Sequence, residues 1–382
     1  MTDNPLHLHI IAFDIPWPAD YGGVIDIFHK VRLLAAAGVH IHLHCFRYGD
    51  RQPADELLQY CDEVRYYERR TGLPSFLSFT PYIIRSRKNR LLEQVLLRDR
   101  YPILCEGIHT CAILINKKLQ RHRILFRPSN IEHEYYRALA AREKNLFKKF
   151  FFLTEAFKLK RWERHLEKAS VILPVSDNDL AWFEKRFPAV PSRLIYSFTP
   201  YDEVEVLTGR GEYALFHGKL SVQDNAAVAA FLADEVAPHT SLSLVVAGMD
   251  PPAWLRKKIG AAKGITLVEN PDDGEMGRLI REAQVQLMLT FQASGIKLKL
   301  LLSLFRGRYI VVNTPMLTSA GLEGCVEQAD EGPAIAAVLE RVKGRAWTEK
   351  EVEERKKCIP AAYYNREKTK SMVEEIEKLI SR

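Results

Sequence analysis

Three glycine-bearing turns carry the residues best suited to chemistry, and the chemistry they suit is holding an anion. The first runs from Asp14 to Tyr21 through Pro16 and Pro18 and ends in Gly22-Gly23, just before a helical pattern beginning near Val24. Two glycines permit close backbone approach, and the start of a helix offers unpaired N–H groups and a positive dipole end. A GxGxxG dinucleotide fingerprint is absent. The second turn is Phe216-His217-Gly218-Lys219-Leu220-Ser221, followed by a helix for which Asp224 is the expected cap. Lys219 there is placed to neutralise a diphosphate, although a solvated surface lysine is the commoner case. The third is Ser294-Gly295-Ile296-Lys297-Leu298-Lys299, opening an apolar helical run to Leu304. Lys297 and Lys299 lie about 160° apart around a helix, so at most one of them faces a bound phosphate.

Anion-holding turns of this kind work at the carboxyl ends of parallel strands, so strands must precede them. Strand patterns occur at Leu8 to Phe13, Val39 to Phe46, Val64 to Tyr67, Ile103 to Glu106, Ile124 to Arg127 and Val171 to Val175, alternating with helical stretches. After a polar, glycine-containing stretch the alternation restarts at Tyr213 to His217. It continues through Leu242 to Ala247, Ile265 to Val268, Val285 to Leu289 and Tyr309 to Asn313. The expected architecture is α/β, with two Rossmann-like domains over residues 1–205 and 206–355 and a helical tail over 356–382. Met372, Ile376 and Ile380 give the tail an apolar face able to cap either domain, packing back on the first being one of the two options.

Composition fits this reading. The chain has 382 residues, 47% hydrophobic and 27% charged, enough for two full-sized soluble cores. A signal-peptide pattern is missing from the first residues, and the longest apolar stretch, Leu298 to Phe305, is interrupted by Lys299 and Ser303. A cytoplasmic protein, at most peripheral to the inner face of the plasma membrane, is the expectation. Cys45, Cys61, Cys105, Cys111, Cys325 and Cys358 form no CxxC or Cys/His spacing, so neither a metal site nor a disulfide is expected, only reduced thiols. The net charge of +7 suits a phosphate-bearing substrate and an anionic membrane equally.

Four stretches, taken in order, resemble the group-4 glycosyltransferases of GT-B fold: Gly22-Gly23, Asn130-Ile131-Glu132-His133, Gly218-Lys219-Leu220-Ser221, and Gly295 to Leu304 followed by Gly321-Leu322-Glu323-Gly324. They span roughly residues 8 to 325. The resemblance implies two Rossmann-like domains facing across a cleft, and retaining, metal-independent transfer of a hexose-type sugar from a UDP- or GDP-linked donor, with no other cofactor. It implies a glycan or lipid-linked acceptor and a role in envelope or capsular polysaccharide synthesis. Lys219 and Lys299 become the expected catalytic cations. Gly22, Gly23, Gly218, Ser221, Ser294, Gly295, Ile296 and Lys297 become the diphosphate-binding set, and Asp14, Asn130, Glu132, His133 and Glu323 the donor and acceptor cleft.

The departures are specific. The family's Glu-x7-Glu pair falls on Ser294 and Leu302, and its His before the Asn falls on Ser129. A leucine cannot accept a ribose hydroxyl, so a variant branch is indicated. Since residue 302 would face the ribose, Lys299, one turn earlier, is preferred to Lys297. A catalytically silent nucleotide-sugar-binding or scaffold protein, or a sugar-nucleotide epimerase, are the alternatives.

Residues 142 to 168 hold nine Lys or Arg against four Glu, interleaved with Phe147, Phe150, Phe151, Phe152, Phe157 and Trp162. Leu146, Phe150, Leu153 and Phe157 share one helix face, and the weightier expectation is that much of this face is core. The competing reading is contact with an anionic membrane or lipid acceptor. No nucleic-acid recognition motif accompanies the charge.

Overall fold

The computed structural model describes residues 5–72, 78–143, 145–291, 298–318 and 320–381. These form two compact units: the residues up to Pro200 with the C-terminal stretch from Asn365, and the residues from Tyr201 to Tyr364.

The first unit is built on six parallel strands, β1 Leu6–Ala12, β2 Val39–Arg47, β3 Glu63–Glu68, β4 Ile103–Glu106, β5 Ile124–Arg127 and β6 Val171–Ile172, in the order β3-β2-β1-β4-β5-β6. Successive side chains alternate between faces. Leu8, Ile10 and Ala12 therefore join one buried layer with Val31 and Leu34 of the helix Gly22–Ala36, while Ile11 joins the opposite layer with Cys105 and Phe126. In β2 the alternation is visible in the sequence itself: Val39, Ile41, Leu43 and Cys45 enter the first layer, and His42 and His44 turn the other way to bond His7 and His9.

The second unit repeats the plan with β7 Tyr213–His217, β8 Ser243–Gly248, β9 Ile265–Glu269, β10 Val285–Met288, β11 Tyr309–Val312 and β12 Glu327–Gln328, ordered β12-β11-β10-β7-β8-β9. In both sheets the order reverses between the first and fourth strands of the unit. That is the topological switch point, where parallel sheets open a crevice at their carboxyl ends.

The helix Asn365–Ile380 returns to the first unit, burying Met372, Ile376 and Leu379 in the layer that holds Leu8 and Ile10. Asn365 clamps Thr199 through two bonds, Oδ1 accepting from its N–H at 3.2 Å and Nδ2 donating to its carbonyl at 2.8 Å. Lys368 Nζ donates to the Ser197 carbonyl at 2.8 Å.

Three expectations are corrected. Cys325 and Cys358, 33 residues apart, form a disulfide rather than free thiols. Their spacing carries no signal because the pairing arises only when the helix Glu349–Cys358 packs on the turn Glu323–Cys325. Asp224 does not cap its helix: Val222 occupies that position and Asp224 lies in the first turn. Its carboxylate is taken by the Thr290 hydroxyl at 2.9 Å, a competing hydrogen bond from beyond the end of β10. Finally, Leu146, Phe150, Leu153 and Phe157 are exposed, because the helix Leu146–Trp162 buries Glu155, Ala156, Leu159 and Trp162 instead.

Among the described residues no helix is long and apolar enough to cross a membrane, and no His, Cys, Asp or Glu cluster is arranged to hold a metal ion.

Candidate functional site

In the second unit the switch point lies between the ends of β7 and β10. His217 ends β7, and Gly218 follows, where a side chain would crowd its neighbours. A Cβ on Gly218 would sit 3.0 Å from Lys299 Nζ and 3.1 Å from the Asn225 side chain. The neighbouring Gly248, at the end of β8, would bring a Cβ within 1.8 Å of the Gly218 carbonyl oxygen. The two glycines let Lys299 reach over from the helix Leu298–Arg306. There its ammonium donates to Asn225 Oδ1 at 2.9 Å and to the His217 carbonyl at 3.3 Å. It also lies 5.3 Å from the centre of the Phe216 ring.

This is a costly place for a cation. Burial lowers the Lys299 ammonium from 10.5 to about 8, with only partial support from Asp224. Burial, then the adjacent Lys299, lowers His217 to about 3, so its imidazole is neutral, and its buried Nε2 has no hydrogen-bond partner among the described residues. A desolvated ammonium beside a neutral imidazole, with no carboxylate bonded to it among the described residues, is an arrangement suited to receiving an anion.

The other residues of this unit are spread more widely. Lys219 points to solvent, its side chain 62% exposed and 3.9 Å from Asp250. Ser221 and Glu323 are also exposed. Ser294, Gly295, Ile296 and Lys297 lie outside the described residues.

In the first unit the loops leaving β1, β4 and β5 converge on Gly107. This residue has a φ of +66°, and a Cβ there would lie 2.8 Å from His109 Nδ1 and 3.5 Å from both the Phe13 ring and Ser129 Oγ. Gly22 and Gly23 open the helix Gly22–Ala36, which has no side-chain cap and no acidic residue in its first turn, so its N-terminal dipole is uncompensated. Gly23 is also sterically required, since a Cβ would come within 2.7 Å of Phe13. Asp14 braces the preceding loop, accepting from Tyr21 Oη at 2.6 Å and the Ile15 N–H at 2.8 Å, with Arg51 at 3.4 Å.

Glu132 is buried, and its carboxylate accepts from Ser129 Oγ at 3.2 Å and, at the outer limit of 3.5 Å, from Asn130. Burial raises it to about 7, the two hydrogen bonds opposing weakly. His133 is occupied elsewhere: its Nδ1 lies 2.7 Å from Glu163 Oε1 in a buried pair, and its ring meets Trp182.

Two residues here escaped the sequence reading. His109 has a buried Nδ1 without a partner and is held neutral by burial and by the nearby Arg87. Arg87 donates to the Phe13 carbonyl at 3.0 Å and the Ile83 carbonyl at 2.9 Å, and burial lowers it to about 9. Applying the carboxyl-end rule to β4 as well as to β1 would have picked out Gly107 and His109.

Glu132 gives a pH prediction. Its folded value lies above the ordinary 4.5, so its contribution to stability is fully present below 4.5 and is lost as the pH rises through about 7. The loss amounts to about 3 kcal/mol. Urea denaturation should therefore show the first unit weakening between pH 5 and pH 8, and Glu132→Gln should flatten most of that slope. An unchanged slope in Glu132→Gln would place the titration elsewhere.

No family model matches the chain. A protein of Klebsiella pneumoniae described as an uncharacterized 44.6 kDa protein in the cps region is 26% identical over 346 residues, covering 86% of each chain. Among solved structures, TarM superposes with a TM-score of 0.66 at 9% identity, over 100% of this chain and 99% of that one. The Anabaena protein Alr3699/HepE, solved in complex with UDP and glucose, gives 0.61 at 11% identity, over 98% and 99%. A UDP-glucosyltransferase from Polygonum tinctorium gives 0.55 at 12% identity, over the full length of both. Matched along their whole length to such proteins, and built of two six-stranded parallel sheets with the same order reversal, the chain has the GT-B fold.

Proposed function

We propose that this chain is a retaining glycosyltransferase that moves a hexose-type sugar from a UDP- or GDP-linked donor to a glycan or lipid-linked acceptor in envelope or capsular polysaccharide synthesis. The observation that carries the reading is Lys299, a desolvated ammonium held at the switch point of the second unit with no bonded carboxylate among the described residues. A leaving nucleoside diphosphate needs preorganised positive charge where its negative charge develops. Lys299 meets that need at the end of β7, and the resemblance to group-4 enzymes points to the same residue.

In this reading the second unit holds the donor and the departing phosphate oxygen draws the proton from the acceptor hydroxyl. On the acceptor side the first unit supplies Glu132 and His109. The protein is then cytoplasmic and works at the inner face of the membrane. Support for the sugar and the pathway comes from the UDP and glucose in the HepE structure and from the cps-region relative.

One observation favours a second reading. Ser294 and Leu302 replace the pair of glutamates that the resemblance calls for, which fits a protein that binds a nucleotide sugar without turning it over. Thermal denaturation with UDP, GDP and their sugars tests binding first. A ligand at about 100 times its Kd stabilises the folded state by about 2.7 kcal/mol, a rise of several degrees. Release of free nucleoside diphosphate in the presence of acceptor extracts then separates transfer from silent binding, and conversion of the donor without acceptor would reveal an epimerase. No shift with any nucleotide would sink both the transferase and the silent-binding readings.

A further inference from the structure

The helix Leu146–Trp162 carries an apolar stripe that no described residue of its own unit covers. Leu146 is 77% exposed, Phe150 70%, Leu153 48% and Phe157 68%, and Phe147 beside them is 88% exposed. At about 100° per residue the first four fall within a sector roughly 60° wide and about 17 Å long. The buried residues Glu155, Ala156, Leu159 and Trp162 occupy the opposite side. Asn145 fixes the start of the helix, its Oδ1 accepting from the N–H groups of Phe147 and Lys148. Large side chains scattered singly on a surface need no explanation, but a contiguous row on one helix face marks a contact surface.

Charge identifies the partner. Lys160 and Arg161 are exposed on either side of the line of the stripe toward its C-terminal end, and Arg164 just beyond is exposed as well. Of the four glutamates in this segment, Glu155 is buried and bonded to the Tyr82 N–H and Lys158, Glu163 is buried against His133, Glu143 accepts from the Asn145 N–H before the helix, and Glu167 is exposed beyond it. The exposed face is therefore apolar along its centre and cationic along its rims. A second copy docking by two-fold symmetry would bring these cationic rims together, which opposes pairing. A bilayer with anionic headgroups accepts both features, the rings entering the acyl boundary and the lysines and arginines staying at the phosphates.

We propose that the helix Leu146–Trp162 docks this chain on an anionic lipid surface, with Phe150 and Phe157 as the inserting residues and Lys160 and Arg161 as the headgroup contacts. The inference rests on this surface alone and holds whether or not the chain transfers a sugar.

The test is co-sedimentation of the full chain with phosphatidylcholine vesicles, with and without roughly 30 mol% phosphatidylglycerol. The unaltered chain is expected to bind the anionic vesicles and to lose binding as salt is raised. Phe150→Asp with Phe157→Asp should weaken binding more than about tenfold. Lys160→Glu with Arg161→Glu should abolish the preference for anionic lipid. Both changes are at exposed positions, and unaltered thermal denaturation and nucleotide-induced shifts confirm that the fold and donor binding are intact. Three results overturn the proposal: no sedimentation even at low salt, full binding by Phe150→Asp with Phe157→Asp, or a dimer abolished by that variant in a chain that ignores vesicles.

Discussion

Lys299→Met should lower turnover at least a hundredfold while leaving the melting temperature of the ligand-free protein unchanged or higher. The first half follows from position. Among the described residues the ammonium at the end of β7 bonds Asn225 Oδ1 and the His217 carbonyl, and loss of one preorganised donor to a leaving group costs about 3 kcal/mol of transition-state stabilisation. The second half follows from linkage. The folded value near 8 lies below the ordinary 10.5, so the contribution of Lys299 to stability is complete only above 10.5 and is lost as the pH falls through about 8. At neutral pH the charged lysine therefore costs the fold about 2 to 3 kcal/mol, a strain expected where function rather than stability set the residue.

A bound diphosphate removes that cost by giving the ammonium its counter-charge, so affinity for UDP or GDP should fall as the pH is raised past 8. Lys219→Ala should cost less than about tenfold, because an exposed cation is screened by water. Turnover by Lys299→Met within a few-fold of the unaltered protein would remove this lysine from the mechanism. A lowered melting temperature would show that its role is structural.

The largest effect on stability is expected from Asp26→Ala, a loss of about 3 to 5 kcal/mol and roughly 10 °C in the first unit. Asp26 sits at the centre of a buried group of four charges. Its Oδ2 accepts from Lys30 Nζ at 3.1 Å and Arg127 Nε at 3.0 Å, and its Oδ1 accepts from the Phe198 N–H at 2.6 Å and Arg127 Nη2 at 3.1 Å. Lys30 also reaches Glu106 Oε1 at 2.6 Å, and Arg127 donates to the carbonyls of Ile195 and Tyr196. Burial pushes the Asp26 carboxyl up, but Arg127 and Lys30 more than offset it and hold it well below the usual range. Removing it leaves Arg127 in the interior without a carboxylate, Lys30 with Glu106 alone and the Phe198 N–H unpaired, which is the costly way to break such a network. Chemical denaturation measures the change, and a loss under about 1 kcal/mol would mean that the network relaxes to water.

The sequence makes Asp26 and Lys30 look unremarkable. Four residues apart on an amphipathic helix, they read as a surface pair. Only the arrival of Arg127 from β5 and Glu106 from β4 shows that this part of the helix is buried. The aromatic stripe failed in the opposite direction: Leu146, Phe150, Leu153 and Phe157 have core spacing, yet the helix turns Ala156 and Leu159 inward. Periodicity gives the angular separation of residues on a helix and says nothing of which sector meets the sheet. His109 was passed over because a single histidine after a short strand carries no pattern.

What the chain determined on its own was the alternation of strand and helix and the glycines at the strand ends, because strand period, helix period and steric tolerance are local properties. Strands expected at Ile103 to Glu106, Ile124 to Arg127 and Tyr213 to His217 occupy those same residues in the structure. The pairing of Cys325 with Cys358, the choice of Lys299 over Lys219 as the desolvated cation, and the burial of Glu132 were decided by the tertiary structure. Each depends on how far a side chain is withdrawn from water by residues distant in sequence, and desolvation, unlike periodicity, has no local signature.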